Sequence, residues 1–383
     1  MDDSDPLGLI GQTLRGSWQV TRLVHTGAMS LVYEASTAAS NRRAAVKCYV
    51  GLADVPQDLQ NSLREAFITV GRDVARLARA YDGLVQPLGG EWLPMDNGTE
   101  IPCIILEWLE GNTLEALLEA EVGHFRRTAS EVLELMAAPL EAIAAAHQLG
   151  LVHQDIKPSN FYVCGDTIKA GVEIRILDLN LAKLERAGEE SVPRPSVLFM
   201  TPHYAAPEQF RGDDPLIGTS TDVFSLALVL IELMAGYGPV MRGTSIEELQ
   251  RASEDPDERP SPRTLGLDVP NTVEAVFRRA LAVDVRERFR SAGAFLRALH
   301  AAVAAEGRIT SSAISRVSGV LEFEPDPESP PRVVQAPLAS PTGTQIAPLP
   351  QDNPRITGET VIAQAPAVTG HTVLARPPTR EDQ

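Results

Sequence analysis

Cysteine is scarce in this chain. Cys48, Cys103 and Cys164 are its only three cysteines in 383 residues, and their wide spacing fits neither a disulfide framework nor a C-x-x-C metal site, which leaves a reducing cytoplasm as the expected compartment. Positive charge is short as well: 34 Lys and Arg face 51 Asp and Glu, a formal net charge of -17. That balance keeps a protein soluble and argues against nucleic acid or an anionic membrane as a partner. No long hydrophobic run is present, since the apolar stretch at 224–231 stops at Glu232 and is too short to cross a bilayer, so direct membrane insertion is not expected. The start, Met1-Asp2-Asp3-Ser4-Asp5, is acidic and has no basic region leading into an apolar one, so no secretory signal is expected.

Short beta-branched and aromatic runs bounded by turn residues predict strands around Leu31-Val32-Tyr33 and residues 44–49, and again at Leu84-Val85 and 101–106. Between them, Leu63, Phe67, Val70, Val74 and Leu77 recur near a period of 3.6 and predict a helix over 59–80. After Gly111-Asn112 the pattern turns helical, at 113–120 and 130–149, with Gly150 as a stop. Further helices are expected over 222–234, 269–281 and 291–304. Beyond Gly307 frequent prolines and few aromatics predict a disordered tail, because backbone ordering there would not be repaid by burial.

Two segments carry chemistry. His153-Gln154-Asp155-Ile156-Lys157-Pro158-Ser159-Asn160 sets an Asp, a Lys two positions on and an Asn five positions on, with Pro158 preventing a helix from running through. Ile176-Leu177-Asp178-Leu179-Asn180 then places an acid just after an apolar strand-like run. Together they resemble the catalytic loop and metal-binding segment of the protein kinase family, with HQD for the usual HRD and DLN for DFG; the likeness is nearest to bacterial serine/threonine kinases. Thr201-Pro202-His203-Tyr204-Ala205-Ala206-Pro207-Glu208 resembles the end of that family's activation segment.

The resemblance implies an α+β, bilobal fold: a small strand-rich lobe and a larger helical one, joined near 107–110. Residues 1–16 would be an N-terminal extension, 17–300 the kinase-like domain and 301–383 the tail. It implies that Asp155 accepts or orients a hydroxyl proton, that Lys157 offsets charge on the transferred phosphoryl, and that Asn160 and Asp178 hold Mg2+, or Mn2+. ATP would lie against Gly27 of Leu23-Val24-His25-Thr26-Gly27-Ala28-Met29-Ser30, a nucleotide loop in which His25 and Ser30 replace two glycines. Val32, Ala45 and the gatekeeper Leu106 would flank the adenine, Glu107 and Leu109 would offer it backbone hydrogen bonds, and Lys47 would pair the phosphates. The carboxylate partner of Lys47 is Glu65 or Asp73; Glu65, longer by one methylene, is the narrow preference.

Gln154, where many kinases carry Arg, lacks the charge to pair a phosphorylated activation loop. Thr201 would bond near Asp155 and Lys157, Glu208 would pair with Arg288, and Asp222 would tie down the catalytic loop. The implied activity is ATP-dependent phosphorylation of protein Ser or Thr; the alternative is a pseudokinase scaffold. In the tail, the themes at 343–347, 358–363 and 370–375 place Thr344, Thr360 and Thr372 near Val, Ile or Leu. They would suit a phosphothreonine-binding partner, or a strand added to a partner sheet. Ser191 and Ser196 are candidate modification sites.

Overall fold

Alternation of buried and open positions builds the first sheet. In the computed structural model, which describes residues 5–27, 30–52, 60–95, 98, 100–121, 125–178 and 200–305, six strands form it: β1 (Thr13–Leu14), β2 (Trp18–Thr26), β3 (Leu31–Thr37), β4 (Arg43–Cys48), β5 (Pro87–Pro94) and β6 (Glu100–Glu107). Their order is β1-β2-β3-β4-β6-β5, antiparallel throughout. Leu31, Tyr33 and Ala35 of β3 and Ala44, Val46 and Cys48 of β4 are buried on one face. The two-residue period therefore leaves Val32, Ala45 and Lys47 on the other. Helix α1 (Gln60–Ala80) packs on the sheet through Phe67 and Val70, against Tyr49 and Leu52.

The second lobe is helical: α2 (Leu114–Glu121), α3 (Ala129–Leu135), α4 (Ala137–Gln148), α5 (Pro207–Arg211), α6 (Thr219–Ala235), α7 (Ile246–Glu254), α8 (Asn271–Ala280) and α9 (Ala292–Ala304). A small sheet, β7 (Asn112–Thr113), β8 (Phe161–Val163) and β9 (Ile174–Ile176), lies beside them. At the centre runs α6, buried from Thr221 to Ala235. A helix buried on every side has no solvent face to offer, so it becomes the axis on which the others pack. It ends at Gly236, whose φ of +75° is left-handed and where a Cβ would meet the Phe125 carbonyl oxygen at 2.0 Å.

Several boundaries differ from the sequence expectation, each for a physical reason. The helix expected over 130–149 breaks at Met136, because Pro139 has no N–H to give the Leu135 carbonyl and its ring crowds it. Leu84-Val85 contributes only a bridge from Leu84 to Ile176, and the strand proper is β5, whose Pro-Leu-Gly-Gly start hides its β character. Helix α7 was not expected; its sequence is mostly polar and buries only Leu249, Ala252 and Ser253. Residues before Ser17 are not a free extension, since Leu9 and Leu14 are buried with the first sheet's core and β1 pairs with β2. Leu179, Asn180, Ser191, Ser196 and the tail threonines lie outside the described residues.

Two buried sites with ionisable side chains link the helices. Glu208 and Arg288 form the expected pair, two parallel bonds of 2.8 Å at full burial. The other donors of Arg288 reach the carbonyls of Ala282 (2.6 Å), Ser220 (3.3 Å) and Val283 (3.2 Å), and its guanidinium stacks 4.9 Å from the Phe224 ring centre. All five N–H groups are thus placed, the condition under which a buried pair is tolerated. Arg288→Met should cost about 3–5 kcal/mol by stranding Glu208. Urea melts would test this, and a loss below ~1 kcal/mol would contradict it.

Glu232 is the second. Fully buried in α6, it accepts the Val240 N–H at 2.9 Å and the Tyr204 hydroxyl at 3.1 Å. Burial pushes its carboxyl from the ordinary 4.5 up to about 8, against the pull of those two donors. With the folded value raised, the fold keeps the proton while the unfolded chain ionises. The contribution to stability is therefore complete below about 4.5 and is lost as pH rises toward 8, on the order of a few kcal/mol. Glu232→Gln should flatten this part of the stability profile, measured by urea melts between these limits; an unchanged slope would show that another group sets it.

Candidate active site

The loop at 153–160 hangs from α6. Asp222, fully buried, accepts the backbone N–H of Gln154 at 2.7 Å through Oδ1, and that of His153 at 2.7 Å through Oδ2. A third donor is His147 of α4, whose Nε2 lies 2.9 Å from Oδ2. Because His147 Nδ1 accepts the Ala292 N–H at 3.0 Å, Nε2 is the nitrogen that carries the proton. Gln154 has a φ of +68°, a strained value for a residue with a Cβ, and its backbone is gripped at both ends: Asp222 takes the N–H and the Gln209 side chain donates to the carbonyl at 2.9 Å.

This frame presents Asp155 and Lys157 to the cleft. Thr201 donates to Asp155 Oδ1 at 2.7 Å and accepts from Lys157 Nζ at 2.8 Å, while Nζ also lies 2.7 Å from Asp155 Oδ2. The three side chains close a triangle that is 23–29% open on its Lys157 and Asp155 sides. Asn160 is buried, and its Nδ2 donates to the Asp155 carbonyl at 2.7 Å. The Asn160 carbonyl in turn accepts the Leu177 N–H at 2.9 Å, which brings the next residue, Asp178, beside the loop.

Across the cleft, register places the other candidates on one face. Val32 lies opposite Lys47, and Ala45 opposite Leu106. Glu107, at the end of β6, takes Gln86 N–H (2.9 Å) and Arg175 (2.7 Å) on its side chain, so the hinge is fastened to β9; Leu109 follows, half-buried. Gly27 donates its N–H to the Ser30 carbonyl at 2.9 Å, closing the hairpin on itself, and a Cβ at Gly27 would stand 3.5 Å from the His25 ring. Lys47 forms an ion pair with Asp178. Glu65 is not brought to it: that side chain is exposed on α1, and Asp73 is half-buried without an ion pair to Lys47 among the described residues. The physical reason is reach, since Asp178 already stands beside Lys47 while the part of α1 carrying Glu65 turns outward.

The oxygen donors suit a hard divalent cation. Asn160 spends its amide nitrogen on the Asp155 carbonyl and keeps its amide oxygen, and Asp178 is 18% open. Among the described residues no group of three or more His, Cys, Asp or Glu gathers elsewhere. Mg2+ is commonly held by one or two side-chain oxygens together with substrate phosphates and water, so a two-residue set is sufficient. His147 and Gln209 escaped the sequence analysis. Neither stands in a spacing that signals its role; a His in an Ala-rich helix and a Gln after Pro-Glu become visible only when α4, α5 and α9 are in place.

The profile of the protein kinase domain family matches residues 18–297. Among curated proteins, the chain is 29% identical over 280 residues to the serine/threonine-protein kinase PknB of Mycobacterium tuberculosis, covering 73% of this chain and 42% of that one. It is 28% identical over 285 residues to the serine/threonine-protein kinase PrkC of Bacillus subtilis, covering 74% and 40%. The chain thus spans less than half the length of either. Of the solved structures, the kinase domain of M. tuberculosis PknI superposes with a TM-score of 0.53 at 23% identity, over 78% of this chain and all of that one, a likeness of fold. No helix among the described residues is long and apolar enough to cross a membrane. The chain belongs to the protein kinase family.

Proposed function

We propose that the protein is a cytoplasmic serine/threonine protein kinase that uses ATP and a divalent metal ion, Mg2+ or Mn2+. The observation that carries this is the triangle of Asp155, Lys157 and Thr201, built at 2.7–2.8 Å on a loop anchored to the buried Asp222. Asp155 orients the acceptor hydroxyl along the line of attack and takes up its proton. The new bond joins the acceptor oxygen to the γ-phosphorus as the bond to the ADP oxygen breaks. Lys157 has three donors, two of them used on Asp155 and Thr201, and gives the third to the phosphoryl oxygens. Thr201, closing the triangle, keeps the acceptor side narrow and favours Ser or Thr. Asn160 and Asp178 would hold the metal, which supplies charge neutralisation on the polyphosphate when bound.

Val32, Ala45 and Leu106 form the apolar walls for adenine, with Glu107 and Leu109 at its edge. Lys47 releases part of its hold on Asp178 to reach the α- and β-phosphates. Glu65 and Asp73 on α1 remain the carboxylates that would stabilise Lys47 in that position. Gln154 carries no charge to pair a phosphorylated loop. Its backbone is instead held by Gln209, so loop order does not wait on phosphorylation, as in a non-RD kinase. Protein substrates, and a phosphothreonine-binding partner for Thr344, Thr360 or Thr372, belong to the same proposal.

One observation favours a scaffold instead: the Gly27 amide is spent on Ser30, where a nucleotide loop would offer it to phosphate. Labelled ATP and Mg2+ separate the two. Wild type should label a Ser/Thr acceptor or its own tail, with Asp155→Asn and Lys47→Met each at least ~100-fold lower. No label, together with no nucleotide-dependent rise in melting temperature, would leave the scaffold. Label mapped to Thr344, Thr360 or Thr372 would support the partner; label confined elsewhere would remove it.

A further inference from the structure

A cavity of about 600 Å³ runs between α1 and β5 and ends at Leu106, Leu177 and Asp178. Its floor is apolar, and Ile68 of α1 stands 47% exposed at its mouth. Arginines rim it. Arg64 is occupied by Glu100, but Arg72 and Arg79 are exposed on α1 and pair with no carboxylate among the described residues. In a chain of net charge -17, an apolar groove edged by unpaired cations is an exception that asks for an acidic, apolar occupant.

The chain carries such a segment. Beyond Ala305 the only Phe, Trp or Tyr is Phe323, in Val320-Leu321-Glu322-Phe323-Glu324, and no Lys or Arg occurs between Arg316 and Arg332. One aromatic anchor flanked by glutamates in an otherwise aromatic-free tail matches both properties of the groove. Reach is sufficient: the 16 residues from Ala305 to Leu321 span about 53 Å when extended, against the radius of gyration of about 19 Å for a domain of some 300 residues. We infer that residues 320–324 dock in the α1–β5 groove of their own chain, with Leu321 and Phe323 on the apolar floor and Glu322 and Glu324 on Arg72 and Arg79. Tethering makes the segment locally concentrated, so a modest intrinsic affinity suffices. Occupancy bears on α1, the helix that carries Glu65 and Asp73.

The test needs no phosphoryl transfer, so it stands or falls apart from the proposed activity. Hydrogen exchange of the full chain should show the amides of α1 and β5 about 10-fold slower than in Leu321→Ala/Phe323→Ala, whose changes lie in the tail. Glu322→Arg/Glu324→Arg should lose the same protection, as should Arg72→Glu/Arg79→Glu, and the four changes combined should regain it. A synthetic peptide of residues 317–328 added to the Leu321→Ala/Phe323→Ala chain should restore it, and a scrambled peptide should not. Exchange identical in all variants overturns the docking. Protection that vanishes on 100-fold dilution assigns the groove to a second copy, and equal rescue by the scrambled peptide reduces it to charge attraction; either also overturns the inference.

Discussion

The carboxylate of Asp222 is the constraint on which the active site depends. It sits near the start of a helix buried on every side, where an ion without donors would cost several kcal/mol, and it is satisfied by three N–H groups from two other segments. Burial turns a polar residue into a positioning device, because the only way to stabilise it is to bring His153, Gln154 and His147 to fixed places. The strained φ of Gln154 persists for the same reason: both ends of that residue are claimed by groups that the packing holds. Asp155 then follows one bond later, with little freedom left in its backbone.

Stability and chemistry are coupled through the same helix. Ser225 donates to the Tyr204 carbonyl at 2.8 Å, Glu232 receives the Tyr204 hydroxyl, and Thr221 donates to Glu208 at 2.8 Å, so the segment from Thr201 to Glu208 is fastened to α6 at three levels. Thr201 closes the triangle with Asp155 and Lys157 from the near end of that segment. Arg288 completes it from the far side, delivering its bidentate bond to Glu208 and stacking on Phe224 of α6. An uncharged residue at 154 is compatible with order because backbone groups, and not a side-chain charge, carry the connections.

How much of this was legible in the sequence varies with the range of the interaction. Asp155, Lys157, Asn160 and Asp178 lie in short segments whose spacing is itself chemical information, and the ties of Asp222, Thr201 and Glu208 to their partners could be named before any coordinates. Helix α1 was visible from its period, and the two-lobed α+β arrangement from the motifs, since periodicity alone says only that helices and strands are mixed. The edge strand β5 was not visible, because Gly89-Gly90 carries no strand preference and pairing with β6 makes the strand. The break at Met136 was written in Pro139 but masked by the apolar run around it. Leu9 and Leu14 were hidden for another reason: the glycine-broken stretch from Leu7 to Leu14 shows no helix or strand period, and its leucines become core only when a sheet edge is there to receive them. The acid facing Lys47 was the hardest: the sequence offered Glu65 or Asp73 on α1, and Asp178, expected as a metal ligand, is the carboxylate that stands beside it.

That last ambiguity separates the two halves of the site. On the helical side, the loop that carries Asp155 is fixed through its backbone by the fully buried Asp222, whose loss would leave the His153 and Gln154 amides unpaired. Across from it, Lys47 meets Asp178 side chain to side chain, 14–18% open, a contact made by two side chains and not by a held backbone. Glu65 and Asp73 ride on α1, which packs through Phe67 and Val70 against Tyr49 and Leu52, with Trp92 edge-on to Phe67 at 5.5 Å, and through Leu77 and Ala78 in the core of the helical lobe. Apolar contact is non-directional and tolerates rotation and sliding better than a bidentate ion pair does. The loop of Asp155 is therefore built as a fixed frame of buried polar bonds, whereas α1, which carries Glu65 and Asp73, is seated by apolar contact.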